Sequence, residues 1–258
     1  MSDTDDTGGR RLGSVDRAFD VIEYLRRSGP STLTSIAEEF DMPMSTAHIH
    51  LSTLAANDYV IKEDGTYQLS FRFLRTGGTL RTGLSIFRTA KSEVDELQSE
   101  VGENTNLVCR EGGSMVQLYK SENPDSIDNN PPIGTYFDLH ATAAGKAMLS
   151  QLPDSAVESF IDEFGLEAHT ETTVTDREEL FAELERVRDR EYAINRGEHY
   201  PGVSAVGTSI LSDSGDVLGA ISISGPRSRI GVDRIEAELA PALLDRRNII
   251  ELRLKQQS

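Results

Sequence analysis

From Ser14 onward, apolar residues recur at a helical spacing. Val15, Ala18, Phe19, Ile22 and Leu25 share one face, with Ser14 placed to cap the N-terminus. Ser28-Gly29-Pro30 ends that helix. Thr34 is placed to cap a short second helix whose inner face is Ile36, Ala37 and Phe40. Asp41-Met42-Pro43 reads as a tight turn, because the proline ring disfavours helical backbone in the residue before it. A third helix follows, with Ala47, Leu51 and Leu54 inside. Tyr59 to Lys62 and Thr66 to Leu69 then flank Glu63-Asp64-Gly65 and predict a β-hairpin. Three short helices, the last two joined by a four-residue turn, followed by a hairpin make a winged helix-turn-helix plan. The same order also fits a helical subdomain that binds nothing.

Phe71, Leu74, Leu80, Leu84 and Phe87 mark an apolar helical stripe interrupted at Gly77-Gly78, and Arg88 to Glu100 continues as an amphipathic helix. A linking helix that exposes aromatics predicts a dimer contact, unless it packs back on its own domain. Beyond it, strands and helices intermingle. Asn106 to Arg110 pairs with Met115 to Ser121 across a Gly-rich turn, residues 123–132 form a loop, and Ile133 to Asp138 is a strand. Thr142 to Leu149 is a helix, two more follow, the second from Asp176 to Arg190, and Val203 to Leu211 pairs with Val217 to Ser224. A closing helix runs from Val232 toward Lys255, bent or split at Pro241. Intermingled elements with antiparallel hairpins make the class α+β.

Composition changes the picture in three places. Hydrophobic residues at 37% and charged residues at 27% of a 258-residue chain exclude wholesale disorder and suit two domains. No apolar run approaches the ~18 residues of a membrane helix, and the acidic, polar start is unlike a signal peptide, so a cytoplasmic location is expected. The single cysteine, Cys109, forbids an internal disulfide and any cysteine-rich zinc site. The net charge of −17 is the unusual feature, and its 26 cations divide into 5 lysines and 21 arginines. Such acidity argues against nucleic acid as a partner, or else it reflects a surface adapted to a salty cytoplasm where carboxylate repulsion is screened. The lysine shortage favours the second reading, that of a halophilic organism.

SVDRAFDVIEYL, LTSIAEEFDMPMSTAHIHLSTLAANDYV and YQLSFRFLRTGG resemble the DNA-binding domain of the IclR family of transcription regulators. LHATAAGKAMLS, YAINRGEHYPGVSAVGTSI and VLGAISISGPRSRI are similar to that family's C-terminal domain, in the same order, so the resemblance covers nearly the whole chain. It implies a winged helix-turn-helix at 12–75, a linker helix at 76–90, and a GAF-like α+β effector-binding domain with an antiparallel sheet at 91–258. It also implies a homodimer or tetramer on a double-stranded DNA operator. A small metabolite, an organic or sugar acid, would modulate occupancy, with no cofactor. A different class of reading is a sensor or enzyme whose N-terminal helices only dimerise.

By helical period, the buried set of the third helix leaves Ser45, His48, Ile49 and Ser52 on its outer face. Ser45 and Thr46, one turn in, suit phosphate bonds made by hydroxyl and backbone N–H together. His48 can bond a base edge, and Ile49 can pack on a thymine methyl. His50 is expected to cover the domain's own core. Met44 and Ile49 stand where the family usually has basic residues, and Lys62 is alone beside the acidic hairpin tip Glu63-Asp64. Residues 1–78 hold eight basic and twelve acidic side chains, so cationic contacts fall to Lys62 and to Arg10 and Arg11 on the N-terminal arm.

His140 to Gly145 opens a helix with small side chains, exposing N–H groups at its positive end in a way suited to a carboxylate, although Gly and Ala also permit close helix-to-sheet packing. Ser222 and Ser224 alternate along a strand and so share a face. The resemblance assigns the effector positions to Ala143, Ala144, Asn195, Val203, Ala205, Ser222 and Ser224. Asn195 replaces a frequent acidic residue and Ala205 a frequent cysteine. Cys109 on its strand is expected to be a buried small hydrophobe, Glu198-His199 a hydrogen-bonding pair within a loop, and no metal-ligand spacing or catalytic motif is present.

Overall fold

The computed structural model describes residues 11–123 and 131–256, so Arg10 and residues 124–130 of the expected loop lie outside the described residues. Two compact units divide the chain, one ending at Leu80 and one beginning at Arg81.

In the first unit, α1 (Gly13–Ser28) begins before Ser14, and Leu12 occupies the capping position, so Ser14 caps nothing. Val21 and Leu25 form its core line with Ala18 and Ile22 beside them, whereas Val15 and Phe19 are exposed. Adjacent residues such as Ala18 and Phe19 point about 100° apart on a helix, so a stripe containing both cannot face one core completely. A short strand, β1 (Ser31–Thr32), leads into α2 (Leu33–Glu39). The cap of α2 is Thr32 and not Thr34, because Thr32 Oγ1 accepts the Ser35 N–H at 3.1 Å. The turn through Asp41 enters α3 (Met44–Ala56), which buries Ala47, Leu51 and Leu54. β2 (Val60–Glu63) and β3 (Thr66–Leu69) are joined by Asp64-Gly65, both at positive φ, the backbone that a two-residue hairpin turn needs. β1 adds to the far edge of β3, completing the winged helix.

α4 (Arg72–Gly83) runs unbroken through Gly77-Gly78, since glycine weakens a helix but keeps its N–H donor. The interruption falls instead at Leu84, just before α5 (Ser85–Val101). Phe87, counted with the exposed stripe, is buried in the core of the second unit.

That unit is built on a six-stranded antiparallel sheet. β4 (Asn104–Glu111), β5 (Ser114–Ser121) and β6 (Tyr136–Asp138) are followed by α6 (Ala143–Ser150), α7 (Asp154–Phe164) and α8 (Arg177–Arg190). β7 (Ala193–Arg196), β8 (Val203–Leu211) and β9 (Val217–Pro226) complete the sheet in the order β6-β5-β4-β9-β8-β7. β7 has no counterpart in the sequence reading, and β6 is shorter than the strand predicted from Ile133, because Gly134 takes a positive φ in a turn. α9 (Val232–Arg234), a π turn (Ile235–Leu239) and α10 (Ala240–Lys255) close the chain. Pro241 sits in the first turn of α10, where its missing N–H costs little.

Alternation along the strands sorts side chains to two faces. Leu107, Ile221, Ile223 and Val206 pack on α5 and α10. Val108, Met115, Phe137 and Ala220 pack on α6, α7 and α8. The second helical layer leaves one end of its sheet face open, and the candidate site lies there.

Candidate functional site

The outer face of α3 carries Ser45, His48, Ile49 and Ser52, all exposed, with Ile49 at 64%. Thr46 is half-buried, and its N–H already donates to the Pro43 carbonyl at 2.9 Å, so only its hydroxyl remains for a phosphate. That corrects the expectation of paired hydroxyl and N–H contacts there. His48 Nδ1 lies 3.4 Å from Ser52 Oγ, one turn along the same face. Lys62 sits over the Tyr67 ring on the wing, and Arg11 pairs with Asp16 at 2.8 Å. Arg17, Arg26, Arg27 and Arg72 are likewise each paired with a nearby carboxylate. The guanidinium charge of this unit is therefore largely neutralised in place.

The second unit holds a cavity of about 360 Å³ at the open end of its sheet. Every position the family resemblance assigned to an effector lines it: Ala143 and Ala144 from α6, Asn195 from β7, Val203 and Ala205 from β8, and Ser222 and Ser224 from β9. Register brings the strand positions together, because Ala205 faces both Asn195 and Ser224 across the ladder. Thr142 caps α6 by accepting the Gly145 N–H at 3.1 Å, which leaves the N–H groups of Ala143 and Ala144 without an intrahelical acceptor. The helix end approaches β8 closely because residue 207 is glycine; a Cβ there would lie 2.7 Å from the Ala144 nitrogen.

Asn195 differs from the expected ligand contact. Its Oδ1 accepts the N–H groups of Gly197 (3.0 Å) and Glu198 (3.2 Å), while its Nδ2 donates to the Ala141 carbonyl. The amide thus ties the 197–202 loop to the start of α6. A carboxylate could accept the first two bonds but not donate the third. Three amide side chains of the wall escaped the sequence reading: Asn104, Asn106 and Gln117. Their signal was present, since Asn104 and Asn106 alternate on a strand whose same face continues to Val108 in the core.

Residues 14–64 match the IclR helix-turn-helix domain, and residues 79–250 match the C-terminal domain of bacterial IclR regulators. The chain belongs to the IclR family of transcriptional regulators. Like other IclR proteins it joins a helix-turn-helix DNA-binding domain to a C-terminal effector domain. It is 30% identical to the probable regulator ArcR of Halobacterium salinarum, over 95% of each chain. It is also 30% identical to the transcriptional repressor AllR of Escherichia coli, over 87% of this chain and 84% of that one. The crystal structure of Thermotoga maritima IclR superimposes with a TM-score of 0.84 at 26% identity, covering 95% of this chain and all of the other. No helix among the described residues is long and apolar enough to cross a membrane.

In this IclR chain, Glu198 is not paired with His199. Its carboxylate accepts two bonds from the buried Lys146 Nζ, at 2.7 and 2.8 Å, while His199 turns to the rings of Phe137, His169 and Tyr200. His199 lines the cavity, and its buried Nδ1 has no hydrogen-bond partner. Burial, reinforced by the neighbouring His169, holds its pKa below the ordinary 6.5. Asp138, the one nearby carboxylate acting on it, opposes the shift but is itself bonded to His169 at 2.7 Å. The folded chain therefore resists a proton that the unfolded chain takes up as pH falls through 6.5. Stability should be insensitive to His199 above that pH and decline below it. Thermal melts between neutral and mildly acidic pH check this: His199→Phe should flatten the acid slope, and an unchanged slope would assign it to other groups.

Proposed function

We propose that this chain regulates transcription from a two-fold operator as a cytoplasmic homodimer or tetramer, and that a small carboxylate in the effector cavity modulates its binding. The observation that carries the ligand class is the open N-terminus of α6, with two free N–H groups facing a cavity floored by serine hydroxyls. An operator partner is supported by the exposed polar face of α3, read by His48 and Ile49 and positioned by Ser45, Thr46 and Ser52, with Lys62, Arg11 and Arg10 as cationic contacts. Self-association is supported by the exposed Leu12 just before α1, by Val15 and Phe19 on it, and by Phe71, Leu74 and Leu80 further along the same unit. A non-enzymatic role is supported by Cys109, whose thiol is pushed up by burial and by the charge of Glu111, the reverse of what a nucleophile needs.

Mobility shifts on the chain's own upstream DNA, run from low to molar salt, test this reading. A basic regulator loses affinity with a slope of about −0.9 per neutralised phosphate. Here the slope should be shallow, because five arginines of the first unit are already paired with carboxylates and the net charge is −17, as suits a salt-adapted surface. Ser45→Ala should weaken binding on all sequences, whereas His48→Ala should relax base preference by roughly 1–3 kcal/mol at one position. An unchanged consensus after selection from random DNA would remove His48 from the reading surface. The absence of any specific shift would overturn the proposal.

A further inference from the structure

The cavity wall contains a chain of side-chain hydrogen bonds whose direction is set from one end. Gln117, nearly buried on β5, donates through Nε2 to the Tyr119 carbonyl at 2.8 Å. A backbone carbonyl can only accept, so this contact fixes which end of the amide is nitrogen. The same Nε2 donates to Asn106 Oδ1 at 3.1 Å, so Asn106 presents its oxygen to Gln117 and its nitrogen elsewhere. Asn106 Nδ2 donates to Ser224 Oγ at 3.0 Å. Ser224 is therefore an acceptor within the wall, and its own proton is left for whatever occupies the cavity. Successive bonds of this kind polarise one another, which strengthens the terminal donor.

A second feature of the wall is its charge. Among the described residues no Lys, Arg, Asp or Glu lines the cavity; the polar atoms come from amides, hydroxyls, backbone and His199. One negative charge can be met by the α6 N–H groups and by hydroxyl donors. A second has no counter-charge to meet it and would be buried at a large desolvation cost.

We infer that Asn106 and Gln117 are positioning residues that preset Ser224 as a hydrogen-bond donor to one oxygen of a singly charged carboxylate, and that the uncharged wall discriminates against dianions. The inference rests on the proposed effector cavity and adds to it the residues that decide ligand charge and orientation. Neither amide touches the acid in this arrangement; both act through the Ser224 hydroxyl.

The test is a chemical-shift titration of the full chain, labelled with ¹⁵N-alanine, with sodium acetate and sodium malonate as probes at matched ionic strength. In the wild type the Ala143 and Ala144 amide signals should move with acetate, and malonate should bind more weakly. Ser224→Ala and Asn106→Leu should each weaken acetate about tenfold, the loss of one charge-assisted hydrogen bond. In the Ser224→Ala background, Asn106→Leu should change affinity less than about twofold, because the two residues act as one unit. Melting curves recorded alongside identify any variant that does not fold. If Asn106→Leu is such a variant, Gln117→Met cuts the chain one step earlier and must show the same dependence on Ser224. An Asn106 effect of equal size with and without Ser224 would make the amide merely structural and overturn the inference. So would wild-type affinity in both amide variants while Ala143 and Ala144 still respond, an outcome that leaves the effector cavity standing. Malonate binding as tightly as acetate or tighter would reveal a counter-charge in the wall and overturn the discrimination. Alanine signals that ignore acetate in the wild type would remove the carboxylate reading of the cavity, and this inference with it.

Discussion

Replacing Lys146 with Met should destabilise the effector domain by roughly 3–5 kcal/mol, because it leaves a buried carboxylate without its partner. Lys146 is 2% exposed and its ammonium lies within 2.8 Å of both Glu198 oxygens, with Glu183 at 3.9 Å. The pair joins the middle of α6 to the 197–202 loop, whose later residues form one wall of the cavity. Loss of the ammonium should therefore loosen the cavity as well as lower stability. The coupling has a specific signature. Pairing Lys146→Met with Glu198→Leu removes both charges, and the double variant should recover most of the loss, since apolar replacements of a buried ion pair are often nearly neutral. Urea unfolding followed by circular dichroism at fixed salt measures both. A single variant as stable as the wild type would show that the pair is screened, and a double variant worse than the single would show that packing and not charge is at stake.

Gly145→Ala should be comparably severe, at about 3 kcal/mol, the upper end of ordinary overpacking. A Cβ on residue 145 would lie 2.1 Å from the Leu139 carbonyl oxygen and 2.5 Å from the Leu139 Cα. Both obstacles are backbone, so no side chain can rotate out of the way. The helix must shift instead, carrying the N–H groups of Ala143 and Ala144 off the cavity. Gly207→Ala meets α6 from the sheet side, 2.7 Å from the Ala144 nitrogen, and should cost less, within roughly 1–3 kcal/mol. Circular dichroism melts of the two variants check the order of these effects. Acetate titrations check that both lose affinity while specific DNA binding at low temperature persists. If Gly145→Ala bound acetate normally, the helix end would not be the anion site.

These two glycines show where sequence reading stops. The small residues at 141–145 were legible as either an anion site or a close helix-to-sheet contact, and the structure shows such a contact where Gly207 meets α6, whereas Gly145 packs on the Leu139 backbone between β6 and α6. Glu198 reads as a partner for its neighbour His199 and instead bonds a lysine fifty-two positions away. Local pattern carries no information about that distance. The same limit accounts for Val15 and Phe19: their spacing marks a helix correctly, but which part of a wide apolar stripe meets the core depends on where α3 and the wing lie. Ser14 and Thr34 each lie two positions beyond the true capping residue, because at α2 several hydroxyl residues cluster at the helix start and at α1 the capping position falls on Leu12, so only backbone geometry selects it.

By itself the sequence determined the winged helix with its type of turns and the α+β class of the second unit, while the seven positions that share one cavity came from the family resemblance. The first two follow from hydrophobic period, turn chemistry and residue order, which are written locally along the chain. Only the tertiary structure decided that Asn195 is tied to backbone, that Asn106 and Gln117 orient Ser224, and that no charged side chain among the described residues lines the cavity. These depend on distant segments brought side by side, β4 with β9 and β7 with the residues just before α6. A hydrogen bond depends on the position and direction of two groups at once, and a one-dimensional pattern specifies neither.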